Sequence, residues 1–248
     1  MPVASAPFAA LAREAGRFGL EVSPEQIAAC ERYAEELTLR NTTVNLTAIT
    51  ERADIAHKHF LDSWTAFGAR RWSGTERVID VGSGAGFPGL ALRIARPRLR
   101  VTLVESVGKK ARFLDQTIAL LGLGDVEVRN ERAEALGRAE AHGQDRRDRY
   151  DVATARAVGT LGQVIEYLLP FLRLGGDALI WKGRLDRELK GGRAAAIAIG
   201  GEIARIVPTT ELGVGAELPG RNLVVVRKVR PTPLRYPRTA AQSRRRPW

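Results

Sequence analysis

The segment Ile79-Asp80-Val81-Gly82-Ser83-Gly84-Ala85-Gly86-Phe87-Pro88-Gly89 constrains this chain most, because it sets four glycines within eight residues directly behind an apolar run. Glycines let the backbone turn tightly and let a ligand approach the main chain closely. Pro88 suits the first turn of a helix that follows. Such a junction requires a strand before it and a helix after it, and the rest of the chain agrees. Strand-like runs at 77–81, 100–105, 126–129, 150–155 and 177–181 alternate with helical stretches at 90–95, 109–121, 161–172 and 185–199. This alternation predicts an α/β fold, a mostly parallel sheet with helices on both faces. The runs at 202–207 and 222–229 have no helix between them and read as an antiparallel pair at the sheet edge.

Residues ahead of the sheet read as helices. Ser23-Pro24-Glu25-Gln26 is a capping box with proline at the first helical position, and Ile27, Cys30, Ala34 and Leu37 follow at helical spacing. After a polar connector at 41–50, a second helix over 51–67 is expected to bury Phe60, Leu61, Trp64 and Phe67. The expected division is an N-terminal helical extension over 1–72, the sheet domain over 73–229, and a C-terminal segment over 230–248.

Charge sharpens that last boundary. The 248 residues carry 39 Lys+Arg against 28 Asp+Glu, a net +11, yet no acid follows Glu217. The last 31 residues hold nine basic ones, so the preceding 217 carry only +2. A near-neutral body with a basic end points to a polyanionic partner. Residues 230–248, with four prolines, six arginines and no acid, lack the apolar surface to order themselves alone and read as a basic tail. The single Cys30 excludes an internal disulfide, and His57, His59 and His142 argue against a structural metal. No apolar run approaches the ~18 residues of a membrane span and no signal peptide is evident, so a cytoplasmic location is expected.

The loop by itself leaves the ligand open. Gly84-x-Gly86-x-x-Gly89 satisfies the dinucleotide fingerprint. Asp80 two residues before Gly82, with glycine at every second position, instead suits an S-adenosylmethionine (SAM) site, where a carboxylate at the strand end would favour the cationic ligand. Glu105, closing the second strand 19 residues after Gly86, fits a ribose in either case. A small-molecule methyltransferase, a nicotinamide enzyme and a non-catalytic RNA-binding protein are the competing readings.

Further residues narrow the choice. Asn45-Leu46-Thr47, Lys58-His59-Phe60-Leu61-Asp62-Ser63, the loop, Glu105-Ser106 with Lys109-Lys110-Ala111-Arg112-Phe113-Leu114, Ala155-Arg156-Ala157, Lys182-Gly183, Arg221-Asn222-Leu223 and Thr232-Pro233-Leu234-Arg235-Tyr236-Pro237-Arg238 occur in one order. In these the chain resembles the RsmG (GidB) family, bacterial methyltransferases of a guanine N7 in small-subunit ribosomal RNA. The resemblance implies a Rossmann-like class I SAM-dependent methyltransferase with a seven-stranded sheet. Its substrate would be 16S rRNA (the family target lies in the 530 loop), free, in the small subunit or in an assembly intermediate. It implies SAM as the cofactor, no metal, and a monomer.

The cofactor contacts it implies fall on Gly82 and Phe87 in the loop, on Glu105, on the adjacent Ala133 and Glu134, and on Arg156; the glycine spacing itself adds Gly84 and Gly86 as cofactor-binding candidates. Arg156 and Lys182 follow the fourth and fifth strands and are expected to face the site. His59 shares a helix face with Asp62 and Ser63, a face expected at the cofactor cleft or against RNA. The candidate RNA contacts are His59, Lys182, Arg221, Arg235, Arg238, Arg244, Arg245 and Arg246. In neutral guanosine N7 bears a lone pair and no proton, so no catalytic acid or base is assigned.

Overall fold

The computed structural model of the chain describes residues 5–138 and 146–248, so His142 lies outside the described residues. Strands β1 (Arg77–Val81), β2 (Arg100–Val104), β3 (Val126–Arg129), β4 (Tyr150–Arg156) and β5 (Leu172–Lys182) pair in parallel. Between β5 and the edge strand β6 (Gly201–Pro208) lies β7 (Asn222–Lys228), antiparallel to both. The order β3-β2-β1-β4-β5-β7-β6 contains all seven expected strands, including the edge pair. It reverses between β1 and β4, and a doubly wound sheet binds ligands in the crevice at the carboxyl ends of its strands at that reversal. The glycine loop leaves β1 at that point.

Alternation along each strand splits the core into two layers. On one face Val78, Leu103, Leu179 and Val225 pack with Leu90 of α5 (Gly89–Ala95) and Leu114 of α6 (Gly108–Leu121). The same cluster holds Phe8 of α1 (Ala6–Gly16), Tyr33 of α2 (Pro24–Val44), and Phe60 and Trp64. The N-terminal helices are thus the outer cover of one sheet face. On the other face Ile79, Ala153, Ile180 and Val224 pack with Ile165 of α8 (Leu161–Leu168) and Ile199 of α9 (Leu189–Ile199).

Local chemistry explains several boundaries. The capping box of α2 forms: the Gln26 amide N–H donates to Ser23 Oγ at 3.3 Å, and Ser23 N–H donates to Gln26 Oε1 at 2.7 Å. The Gln26 side-chain amide also donates to the carbonyls of Ile94 and Ala95, closing the end of α5. The single helix expected over 51–67 is composite: α3 (Arg52–Ile55), a π-helical segment Ala56–Leu61, and α4 (Asp62–Ala69). The helix expected over 161–172 stops at Leu168, because Pro170 sits in a 3-10 turn, Leu169–Phe171, that feeds directly into β5.

Residues 230–248 depart from the sequence expectation. They are not a free tail but fold back onto α8. The buried Arg147 guanidinium donates to the carbonyls of Gly137, Tyr236 and Thr232. Glu166, fully buried, accepts from the Arg238 backbone N–H, the Arg238 guanidinium and Trp248 Nε1. Between these anchors runs α10 (Ala240–Arg245), whose capping box pairs Thr239 with Gln242. The body lends the apolar surface the segment lacks: a Cβ added at Gly162 or Gly191 would collide with Trp248.

Trp64 is fully buried and its indole N–H donates to the Ala91 carbonyl, joining α4 to α5. Trp64→Ala is expected to lower the unfolding free energy by about 3–5 kcal/mol through the cavity it leaves, measured by urea denaturation with an unchanged slope.

Candidate functional site

The loop after β1 is held from below and open above. Gly82 and Ser83 donate backbone N–H groups to the Val104 carbonyl at 2.8 and 3.1 Å, binding the loop to the end of β2. Asp80, which the sequence suggested would favour a cationic ligand, faces the other way. It is fully buried and accepts from Thr154 Oγ1 at 2.7 Å and from Gly89 N–H at 3.2 Å. Its position in the strand turns it into the layer beneath α5, where it ties β1 to β4 and to the following helix. Burial raises its carboxyl to about 6, against the hydrogen bonds it accepts.

Two glycines of the loop serve opposite ends. Gly84 has φ +57°, and a Cβ there would meet nothing closer than the Gly82 carbonyl at 3.8 Å, so its main chain faces open space. At Gly86 a Cβ would run into the Tyr33 hydroxyl, which donates to the Ala85 carbonyl and packs the loop onto α2. Glu105 braces the loop from the next strand. One carboxylate oxygen accepts from Gly84 N–H at 2.9 Å and the other from Val107 N–H at 2.8 Å.

Phe87 carries the loop into an aromatic stack. Its ring lies between Tyr33 (centroids 4.9 Å apart, planes 7° apart) and His59 (4.5 Å, 10°). The Arg156 guanidinium sits 5.6 Å from the Phe87 centroid. Arg156 Nη2 donates to His59 Nδ1 at 3.0 Å, since arginine has only donors. His59 therefore carries its proton on Nε2, which donates to Thr47 Oγ1 at 3.0 Å. Burial, reinforced by Arg156 and Arg221, lowers its pKa to about 3, so the ring is neutral.

Beneath it, fully buried Asp62 binds Arg156 Nη1 at 2.9 Å and Arg221 Nη1 at 3.3 Å through one carboxylate oxygen. Burial pushes the Asp62 carboxyl up, and the two arginines counteract it.

These groups border two hollows that meet at Gly82. The first, about 360 Å³, is lined by Gly82, Gly84, Phe87, Glu105, His59 and Arg156, together with Arg221, Lys58, Lys110 and Thr47. The second, about 390 Å³, is lined by Gly82, Ser106, Ala133, Glu134, Val158 and Tyr167, with Ala240 and Arg244 from α10. Ala133 and Glu134 stand in the short helix α7 (Ala133–Leu136). The pair of hollows fits SAM: an open main chain at Gly84, and carboxylates at Glu105 and Glu134 on either side of the junction. Among the described residues no cluster of His, Cys, Asp and Glu could hold a metal ion, and no helix is long and apolar enough to cross a membrane.

The residues expected at the site are therefore distributed as follows. Gly82, Gly84, Phe87, Glu105, Arg156, His59 and Arg221 meet at the first hollow, and Ala133 and Glu134 at the second. Gly86 borders neither hollow and packs against Tyr33 instead. Lys182 donates to the Gly159 carbonyl and pairs with Glu188 at 2.7 Å. Arg235, Arg238, Arg245 and Arg246 surround a third hollow of about 710 Å³ with Tyr236 and Trp248, and Arg244 turns to the second instead. Sequence reasoning missed Tyr33 and Glu166, whose partners lie 52 and 72 or more residues away. It placed Asp62 beside His59 without its arginines.

The chain matches the GidB family model, described as rRNA small subunit methyltransferase G, over residues 26–227. A relative named ribosomal RNA small subunit methyltransferase G from Roseiflexus castenholzii is 46% identical over 242 residues, 96% of this chain and 98% of that protein. One of the same name from Deinococcus radiodurans is 42% identical, covering 92% of this chain and 87% of that protein. Among solved structures, a SAM-dependent methyltransferase from Aquifex aeolicus superposes with a TM-score of 0.52 at 16% identity, over 72% of this chain and 94% of that one. The [4+2]-cyclase SpnF gives 0.56 at 17% identity, over 85% and 98%. These structural likenesses establish the Rossmann-like fold alone.

A raised carboxyl makes the Asp80 contribution full below its unfolded value of about 4, and lost as pH rises through about 6. The melting temperature of Asp80→Asn relative to the parent is thus expected to climb from pH 4 to pH 7, and a difference independent of pH would remove this assignment.

Proposed function

The chain belongs to the GidB family of rRNA small subunit methyltransferases, and from that premise we propose that it transfers the methyl group of SAM to N7 of one guanosine in 16S rRNA. When bound, the cofactor supplies an electrophilic methyl on a sulfonium. Gly82, Gly84 and Glu105 would hold it at the loop, and Ala133 and Glu134 beside the second hollow. Arg156 positions ligand or RNA phosphate at the junction, and the Phe87 stack excludes water from that wall.

One observation carries the choice of N7: among the described residues, the imidazole and the carboxylate that line the first hollow are both already engaged. Both nitrogens of His59 are engaged, by Arg156 and Thr47, and both carboxylate oxygens of Glu105 hold loop N–H groups. A nucleophile that must lose a proton would need such a base. N7 needs none, so alignment and electrostatics suffice. Lys58, Lys110, Arg156 and Arg221 in its lining set positive charge where an RNA strand would enter. Arg235, Arg245 and Arg246 border a further hollow and add positive charge for phosphates there. The enzyme works in the cytoplasm, where the small subunit and its assembly intermediates are.

Mapping 7-methylguanosine in 16S rRNA from cells with and without the gene tests the reading. One site is expected to lose its methyl group, and an unaltered map overturns the proposal. In single-turnover assays with saturating RNA and SAM, the methylation rate is expected to be flat from about pH 6 to about pH 8.5. A titration in that window would reveal a general base.

A further inference from the structure

The second hollow has an unexpected outer wall. Its floor comes from the ends of β1 and β2 and from α7, but Ala240 and Arg244 close it from α10, in the segment that the sequence assigned to RNA alone. These residues stand four apart and so share a helix face. Gln242, Arg245 and Arg246 border the neighbouring hollow instead. One short helix therefore shows one side to the cofactor crevice and another to the basic surface.

The position of α10 is fixed on both flanks by a single group. Glu166 accepts from the Arg238 backbone and side chain just before the helix and from the Trp248 indole just after it. The Arg238 guanidinium also lies 4.6 Å from the Trp248 ring centroid. Hydrogen bonds from Arg238 and Trp248 carry the Glu166 carboxyl below its usual range despite its burial. A buried, ionised carboxylate thus latches the segment against α8.

The lining suits a neutral purine. Tyr167 presents a ring whose hydroxyl accepts from Gln163 Nε2 at 2.8 Å, and Glu134 offers a carboxylate to an exocyclic amine. Arg244 makes no hydrogen bond or ion pair among the described residues. A guanidinium so placed stacks on a flat heterocycle or donates to its ring nitrogens.

We propose that the C-terminal segment is part of the cofactor site: α10 walls the adenosine half, Arg244 lies against the purine, and the Glu166 latch keeps both in place. This rests on the reading of the hollows as a SAM site. The basic end then serves cofactor and RNA at once, and RNA held at Arg245 and Arg246 is linked to cofactor affinity through a shared helix.

Calorimetric titrations without RNA separate this from the identity of the methylated base. SAM and 5′-methylthioadenosine, which lacks the amino-acid portion, are titrated into the full chain, a chain ended after Arg238, Arg244→Ala, Glu166→Gln, and the remote Arg205→Ala. The shortened chain and Glu166→Gln are expected to bind both ligands about tenfold more weakly, and Arg244→Ala about fivefold more weakly, with Arg205→Ala unchanged.

Wild-type affinity in the folded shortened chain, verified by circular dichroism, overturns the proposal. If that chain does not fold, an unchanged affinity in Arg244→Ala does so instead. A loss for SAM but not for methylthioadenosine overturns the purine assignment. A full chain that binds neither ligand overturns the cofactor reading itself. Binding without methylation of 16S rRNA overturns the proposed function and leaves this inference standing.

Discussion

The buried carboxylate of Asp62 governs the geometry of the whole mouth. A charge taken out of water costs several kcal/mol unless it is paired and hydrogen-bonded. Its partners are Arg156 at the end of β4 and Arg221 just ahead of β7, while its backbone carbonyl accepts from the Trp181 indole near the end of β5. One residue in the N-terminal helices thereby gathers three neighbouring strand ends. Two cations around one anion leave the mouth positive, and the same Arg156 fixes the tautomer of His59 one turn earlier. Electrostatics at the entrance, imidazole protonation and sheet docking share one cause.

That arrangement also separates attraction from reactivity. Positive groups line the first hollow, whereas its imidazole and carboxylate, His59 and Glu105, are engaged by the protein's own hydrogen bonds. A site built this way would draw an anionic strand and leave the chemical driving force to its reactants. For alkylation of a lone pair that carries no proton this is a sufficient design, since misalignment is the main obstacle.

Features that depend on neighbours in sequence were legible. The strand periodicity, the glycine loop and the α2 capping box follow from spacing within a dozen residues, and the edge pair from the lack of a helix between two adjacent strand-like runs. The region of Gly82, Gly84, Glu105 and Arg156 was legible for a related reason, since each lies at or just after the carboxyl end of a strand. What escaped notice was decided by distant partners. Asp80 reads as a strand-end acid, and only Thr154 and Gly89 show that it points inward. Arg221 and Asp62 are 159 residues apart. Residues 230–248 looked unable to fold because their apolar partners, Gly162 and Gly191 among them, belong to helices on the body.

The Tyr33–Phe87–His59 stack gives the N-terminal helices a role beyond covering the sheet. Tyr33 holds the loop through Ala85 and Phe87, and Gln26 closes the helix that follows the loop. Neither side chain borders the hollows, yet both set the shape of the loop that does. The helices ahead of the sheet therefore shape the glycine-rich turn from behind. A graft of the N-terminal helices between family members would carry with it part of the recipient's grip on its methyl donor.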